Sequence, residues 1–224
     1  LFVGACGVLA GALAGWLWGG PLAAMATVGA WTVVTLGLHL DGLADTCDGL
    51  LSWRPRERKL EIMRDSRIGT MGALGLAMVL LAKIAALHAL GARWWIGALL
   101  APLWGRWADI YGVFFFPAAR EGGLGRTFHD QVRRRDFALA TAISLGASTL
   151  ILFPAGALVG LGLLPLVHLL ARRMVTALGG LTGDTYGALC ELGETAVLLS
   201  LAALEHHSLL RPLLGAPLPL LLPG

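Results

Sequence analysis

The sequence predicts an all-α fold, a polytopic integral membrane bundle of about seven transmembrane helices forming one domain over residues 1–224. Three observations carry this prediction: an oily composition, a series of membrane-length apolar runs, and basic residues gathered in a few loops. Of the 224 residues, 57% are hydrophobic and 14% charged, with a mean hydropathy of +0.75. A soluble domain carries roughly 25% charged residues, so too few are present to cover a water-facing surface. The surroundings expected for the spans are membrane lipid.

Apolar runs long enough to cross about 30 Å of hydrocarbon fall near 2–19, 22–40, 70–90, 94–116, 137–153, 155–171 and 185–204. Gly and Pro interrupt the fifth and sixth around Pro154–Gly156. Residues 208–224, rich in Leu and Pro, read as a tail or an interfacial segment. The first run has no basic flank and no cleavage site before a polar chain, so it reads as a helix and not as a signal peptide. The chain begins at Leu1 and not at Met, so a short native N-terminus is expected before it.

The net charge of +3 and pI near 9.1 do not point to nucleic acid, because the basic residues sit between spans. Residues 54–67 hold Arg54, Arg56, Arg58, Lys59, Arg64 and Arg67. Residues 120–135 hold Arg120, Arg126, Arg133, Arg134 and Arg135, and Arg172 and Arg173 follow the sixth run. With seven helices these loops share one face, which the positive-inside rule makes cytoplasmic. Cys6, Cys47 and Cys190 are widely spaced and form no CxxC pair, so no disulfide is expected.

Against this apolar background the stretch HLDGLADTCDGLLSW, 39–53, places Asp41, Asp45 and Asp48 at i, i+4 and i+7. On a helix that spacing lines one stripe. One Asp beside a span reads as a cap, but three so close repel one another. A hard divalent cation such as Mg²⁺, with oxygen ligands completed by water and phosphate, relieves the repulsion. Gly42 and Gly49 leave room for a close neighbour.

A second cluster, LTGDTYGALCELGE at 181–194, sets Asp184 and Glu191 seven residues apart on the expected cytoplasmic side. Capping by Thr182 or Asp184 accounts for the first acid but not for Glu191, two turns into an apolar run where a carboxylate is costly. Two facing acidic stripes suit a two-metal site for attack at phosphorus. Between the clusters, IMRDSRIGTMG at 62–72 flanks Asp65 with Arg64 and Arg67. This stretch reads equally as a positive flank or as a phosphate cradle at a helix N-terminus.

In the fourth run, Arg106 and Asp109 are spaced to pair across one turn, in a structural or a site role. Lys83 and His88 read as snorkelling or interfacial residues without chemistry, and His168, His206 and His207 likewise. His39 and His129 border the expected site with no second feature beside them.

HLDGLADTCDG, RDSRIGTMG, GLGRTF and LTGDTYGALCE resemble the signature stretches of the cobalamin synthase family, the adenosylcobinamide-GDP ribazoletransferases, in the family's order over roughly 1–205. The resemblance implies a multi-pass enzyme of the cell inner membrane, with its active site on the cytoplasmic side. Such an enzyme joins adenosylcobinamide-GDP to α-ribazole or its 5′-phosphate with release of GMP, using Mg²⁺. It further implies Asp41, Asp45, Asp48, Asp184 and Glu191 as metal ligands. Asp41, Asp45, Asp48 and Asp65 are the candidate catalytic aspartates, and Arg64, Arg67 and Arg106 the candidate substrate-binding residues. The family usually has further residues before the first span.

Two other readings compete. The DGxAD element is similar to the motif of CDP-alcohol phosphatidyltransferases, which have Arg where this chain has Asp45. A cation transporter also buries carboxylates, but it favours acids near the midplane, whereas these crowd one face beside arginines. The sequence leaves the oligomeric state open, a homo-oligomer included.

Overall fold

Residues 1–120, 122, 124–152 and 156–210 are described by a computed structural model. Their regular structure is helical: α1 (Phe2–Trp18), α2 (Gly20–Val34), α3 (Leu38–Leu50), α4 (Arg56–Ile62), α5 (Thr70–Ala89), α6 (Trp94–Phe115), α7 (Leu124–Gln131), α8 (Arg134–Ile151), α9 (Gly156–Leu178) and α10 (Gly183–His206), with a short 3₁₀ turn at Gly91–Arg93. No strand forms among these residues; Ala118 and Leu181 make one isolated bridge.

α1 and α2 form an antiparallel hairpin around Gly19, whose φ of 93° suits the tight reversal. Small residues at Gly4, Gly7, Gly11 and Ala14 make one stripe along α1. The stripe lets the α6 backbone approach Gly4, and Trp31 and Thr27 of α2 approach Gly7 and Gly11. Close backbone approach through small residues is how apolar helices gain dispersion contacts.

α6 and α10 form the centre. They pack where Gly105 meets Cys190 and Glu194, and where Gly193 meets Ala108. Trp104, fully buried, donates its indole N–H to Ser148 of α8 at 2.8 Å, so its own donor is paired. The outward faces of α5 and α9 carry Met78, Leu81, Leu158 and Leu161, all more than half exposed.

The runs 70–90, 94–116 and 185–204 correspond closely to α5, α6 and α10. Three described helices, α5, α9 and α10, are long and apolar enough to cross a membrane alone, fewer than the seven spans expected. The run 22–40 is not one straight helix, and α2 with α3 adds a fourth span only where the bent pair is taken as one. The run breaks after Val34, and α3 leaves α2 at 91°. Leu36 and Gly37 take positive φ of 53° and 68° there, which ends the helix. The tandem arginines Arg172 and Arg173 do not follow a span either: α9 continues to Leu178 and carries both on an exposed face. The interruption expected around Pro154–Gly156 falls mostly on 153–155, outside the described residues, as do 211–224 of the expected tail.

Candidate active site

The two basic loops, 51–69 and 116–120, and the turn between α9 and α10 meet at one end of the bundle. Arg56 donates to the Leu178 carbonyl at 2.6 Å and the Ala119 carbonyl at 3.3 Å. Arg120 donates to the Leu60 carbonyl at 2.8 Å. Ala119 and Leu181 are joined by a backbone hydrogen bond of 2.8 Å. α3 and the N-terminal end of α10 lie at this end, so two of the three charged segments expected to share a face meet at one end of the fold, while Arg172 and Arg173 lie on α9 itself.

The DGxADxxDG stretch is helical as its spacing predicts, on α3. Gly42 lies against the backbone of Asp184, and Gly187 against His39, so glycines on both helices bring the two acidic segments together. The Asp45 carboxylate is repelled by those of Asp184, Asp41 and Asp48. Asp184 also accepts a hydrogen bond from Thr182 at 3.2 Å.

Asp48 is spoken for. Its two oxygens accept the backbone N–H groups of Gly69 at 2.7 Å and Gly72 at 2.8 Å, so this carboxylate caps α5. The helix N-terminus read from sequence as a phosphate cradle is therefore filled by an anion of the chain itself. Asp65 and Arg67 form a two-point ion pair, with 3.0 Å and 2.7 Å bonds, on an exposed loop. That bonding holds the Asp65 carboxyl down at about 2.

An open cavity of about 630 Å³ lies beside α3. Asp41, Asp45, Arg64, Asp65 and Ser66 line its polar wall; Leu36, Leu38, Leu40, Ile68 and Leu76 line the apolar one. Its size is that of a typical small-molecule site. Neither the Asp41 nor the Asp45 carboxylate has a hydrogen bond or an ion pair among the described residues. Asp41, Asp45 and Asp184 are oxygen-only donors that relieve mutual repulsion by sharing a cation, which is the donor chemistry Mg²⁺ takes. As placed, no three His, Cys, Asp or Glu side chains among the described residues converge closely enough to hold a metal ion.

Glu191 and Arg106 lie elsewhere. Glu191 accepts from the Lys83 ammonium at 2.5 Å. Glu194 takes both Lys83 and Arg106. The Arg106–Asp109 pair expected from spacing is thus replaced by Arg106–Glu194, and Asp109 instead lies 4.0 Å from the His39 ring. Lys83 does not snorkel: its side chain is 2% exposed and paired twice. Sequence reasoning passed over Lys83 and Glu194. The available signal was charge itself, since an unpaired Lys or Glu inside an apolar run needs an opposite partner in the fold.

The family model described as CobS, cobalamin-5-phosphate synthase, matches residues 1–202. The adenosylcobinamide-GDP ribazoletransferase of Roseiflexus sp. (strain RS-1) is 57% identical over 189 residues, 84% of this chain and 70% of that protein. The enzyme of the same name from Herpetosiphon aurantiacus is 50% identical over 195 residues, 87% and 78% of the two chains. The one from Citrobacter koseri is 42% identical over 210 residues, 87% and 83%. No solved structure matches. With a match along nine-tenths of its length and relatives this similar, the chain belongs to the cobalamin-5-phosphate synthase family.

Proposed function

We propose that this chain is an adenosylcobinamide-GDP ribazoletransferase, joining that donor to α-ribazole or its 5′-phosphate and releasing GMP. The observation that carries the reading is the cavity beside α3, whose polar wall is built from the DGxAD and RDSR stretches. The activity of the similar enzymes, adenosylcobinamide-GDP ribazoletransferases, supports the substrates.

In this reading a ribazole hydroxyl attacks the phosphorus on the cobinamide side and the bond to GMP breaks. One of the two aspartates unpaired at the cavity wall, Asp41 or Asp45, takes the hydroxyl proton. Arg64, on the same wall, orients the pyrophosphate through its guanidinium. Asp41, Asp45 and Asp184 are the oxygen donors that would hold Mg²⁺, and they would have to draw together around it. When bound, that ion would neutralise the pyrophosphate and the leaving phosphate. The apolar wall keeps water from competing with the alcohol.

The protein is a multi-pass membrane enzyme in this reading, with the loop end cytoplasmic. The support is the exposed apolar faces of α5 and α9 and the arginines gathered at the loop end. Cysteine labelling at Ser52, Ala119 and Thr176 from the outside would contradict that orientation.

The test of function is product mass from the detergent-solubilised protein with Mg²⁺. GMP and a cobalamin 5′-phosphate are expected from the corrinoid donor plus ribazole phosphate, and no GMP without the ribazole. Asp45→Asn is expected to lower turnover by at least about a hundredfold, roughly 3 kcal/mol of barrier. CMP release from CDP-diacylglycerol, with no GMP from the corrinoid, would refute the reading.

A further inference from the structure

We propose that the buried chain Lys83–Glu194–Arg106–His39 is a positioning device, setting the angle at which α3 leaves α2 and thereby holding Asp41 and Asp45 at the cavity wall. The proposal rests on the function given above.

Local hydrogen bonds close the turn, from the Gly37 N–H to the Thr32 carbonyl at 2.9 Å and from the Leu38 N–H to the Thr35 carbonyl at 3.1 Å, but none of them reaches the helices packed around α3. No side chain caps the N-terminus of α3, and the turn before it puts Leu36, a non-glycine residue, at φ 53°. A conformation of that kind persists only when its surroundings impose it.

His39 is where the surroundings act. It lies in the first turn of α3, two residues before Asp41, with its backbone against Gly187 of α10. Its ring sits between two residues of α6: Nδ1 is 3.5 Å from the Arg106 guanidinium, and Nε2 is 4.0 Å from Asp109. Arg106 is held in turn by Glu194, and Glu194 by Lys83, which also binds Glu191. The Lys83 ammonium lies 5.8 Å from the ring centroid of Trp31 on α2.

The network therefore reaches both helices of the break, α2 and α3, and the three that surround it, α5, α6 and α10. Two cations and two anions balance. Lys83, Glu191 and Glu194 are each at most 5% exposed. A satisfied buried network of this kind resists rearrangement, because any shift leaves a charge unpaired.

The same residues are not a second substrate site. The void lined by Lys83, Arg106, Glu191 and Glu194 measures about 10 Å³, room for about one water. None of the network residues lines the substrate cavity. They act on the reaction only through the placement of α3.

Two variants of the full-length protein test this: His39→Gln, which leaves the ion pairs intact, and Lys83→Met, which keeps length and removes charge. Displacing reacting groups by about 1 Å costs on the order of a hundredfold in rate. Turnover in each variant is therefore expected to fall by roughly tenfold to a hundredfold, with KM for the corrinoid donor within about twofold. Acting through one chain, the two changes are expected not to multiply when combined. A raised KM with retained turnover, or losses that multiply, would overturn the proposal.

A readout independent of activity accompanies these. Spin labels at Ser52, just past α3, and Thr176, on α9, are introduced after the native cysteines are replaced by Ala. His39→Gln is expected to broaden or shift their distance distribution; an unchanged distribution would overturn the device. Should Lys83→Met fail to accumulate, His39→Gln carries both arms. Absence of GMP release by the unaltered protein would sink the proposed reaction and leave the distance measurement to judge the positioning.

Discussion

Replacing Gly42 by Ala tests whether the contact between α3 and α10 sets the active geometry. A Cβ at that position meets the Asp184 carbonyl oxygen at 2.7 Å and its Cα at 3.0 Å. Both neighbours are backbone, so no rotamer change relieves the clash. Reaching ordinary contact at 3.4 Å requires the helices to part by about 0.7 Å, an overpacking that costs about 1–3 kcal/mol of stability. Because Asp41 and Asp45 flank Gly42 while Asp184 is the residue it touches, the same displacement moves the carboxylates apart. Turnover should fall by roughly tenfold to a hundredfold. Gly187→Ala meets His39 less closely, at 3.1 Å, and should lose less on both counts. Gly29→Ala meets nothing within 4 Å, and in a helix it should be neutral or stabilise slightly. The assays are the thermal midpoint in detergent and GMP release per folded enzyme. Equal effects at Gly42 and Gly29, or a Gly42→Ala enzyme with full turnover, would refute the reasoning.

Two further outcomes follow from the loop before α5. Asp48→Ala strips the N-terminal amides of α5 of their acceptor and should cost about 0.5–2 kcal/mol of stability, read by thermal unfolding; an unchanged midpoint would remove the capping role. The folded value of Asp65 lies below the ordinary 3.8 of a free carboxyl, so its contribution is present above that value and lost as pH falls toward about 2. Asp65 is therefore ionised across the neutral range and a weak proton acceptor there. Asp65→Asn should leave the pH profile of turnover between about pH 5 and 9 unshifted, and a displaced limb would make Asp65 the base.

Legibility in the sequence followed the kind of force at work. Hydropathy alone marked α5, α6 and α10 closely, because each is a long apolar run with polar flanks. The aspartate spacing marked α3 as a helix, and Gly42 as a point of close approach, because helical periodicity and side-chain size are local properties. The break at 35–37 was hidden. Thr35, Leu36, Gly37 and Leu38 include no proline and no charge, and the one local signal was Gly37, which takes φ 68° at the break. Lys83 was misread for a different reason. Its partners lie 108 and 111 residues away, and an ion pair that long in sequence leaves no trace in spacing. Asp48 shows a third case: the residue was singled out correctly, but its two oxygens are committed to backbone amides that no composition argument could supply.

The arginine that ties the loop end together also fixes when that end can exist during synthesis. Arg56 donates to the Leu178 carbonyl, 122 residues further along the chain. At about 5–20 residues per second, a ribosome needs roughly 6–24 s to reach that acceptor after Arg56 itself is made. Until then the segment between α3 and α5 is tied only through Ala119 and Arg120, and the aspartate helix waits beside it without its α10 neighbour. Protease cleavage near Arg54–Lys59 in ribosome-arrested chains should therefore fall in two steps, first once residues 119 and 120 have left the exit tunnel and again once residue 178 has. The enzyme's mouth is a late product of its own translation, closed only after nearly all the helices behind it are in place.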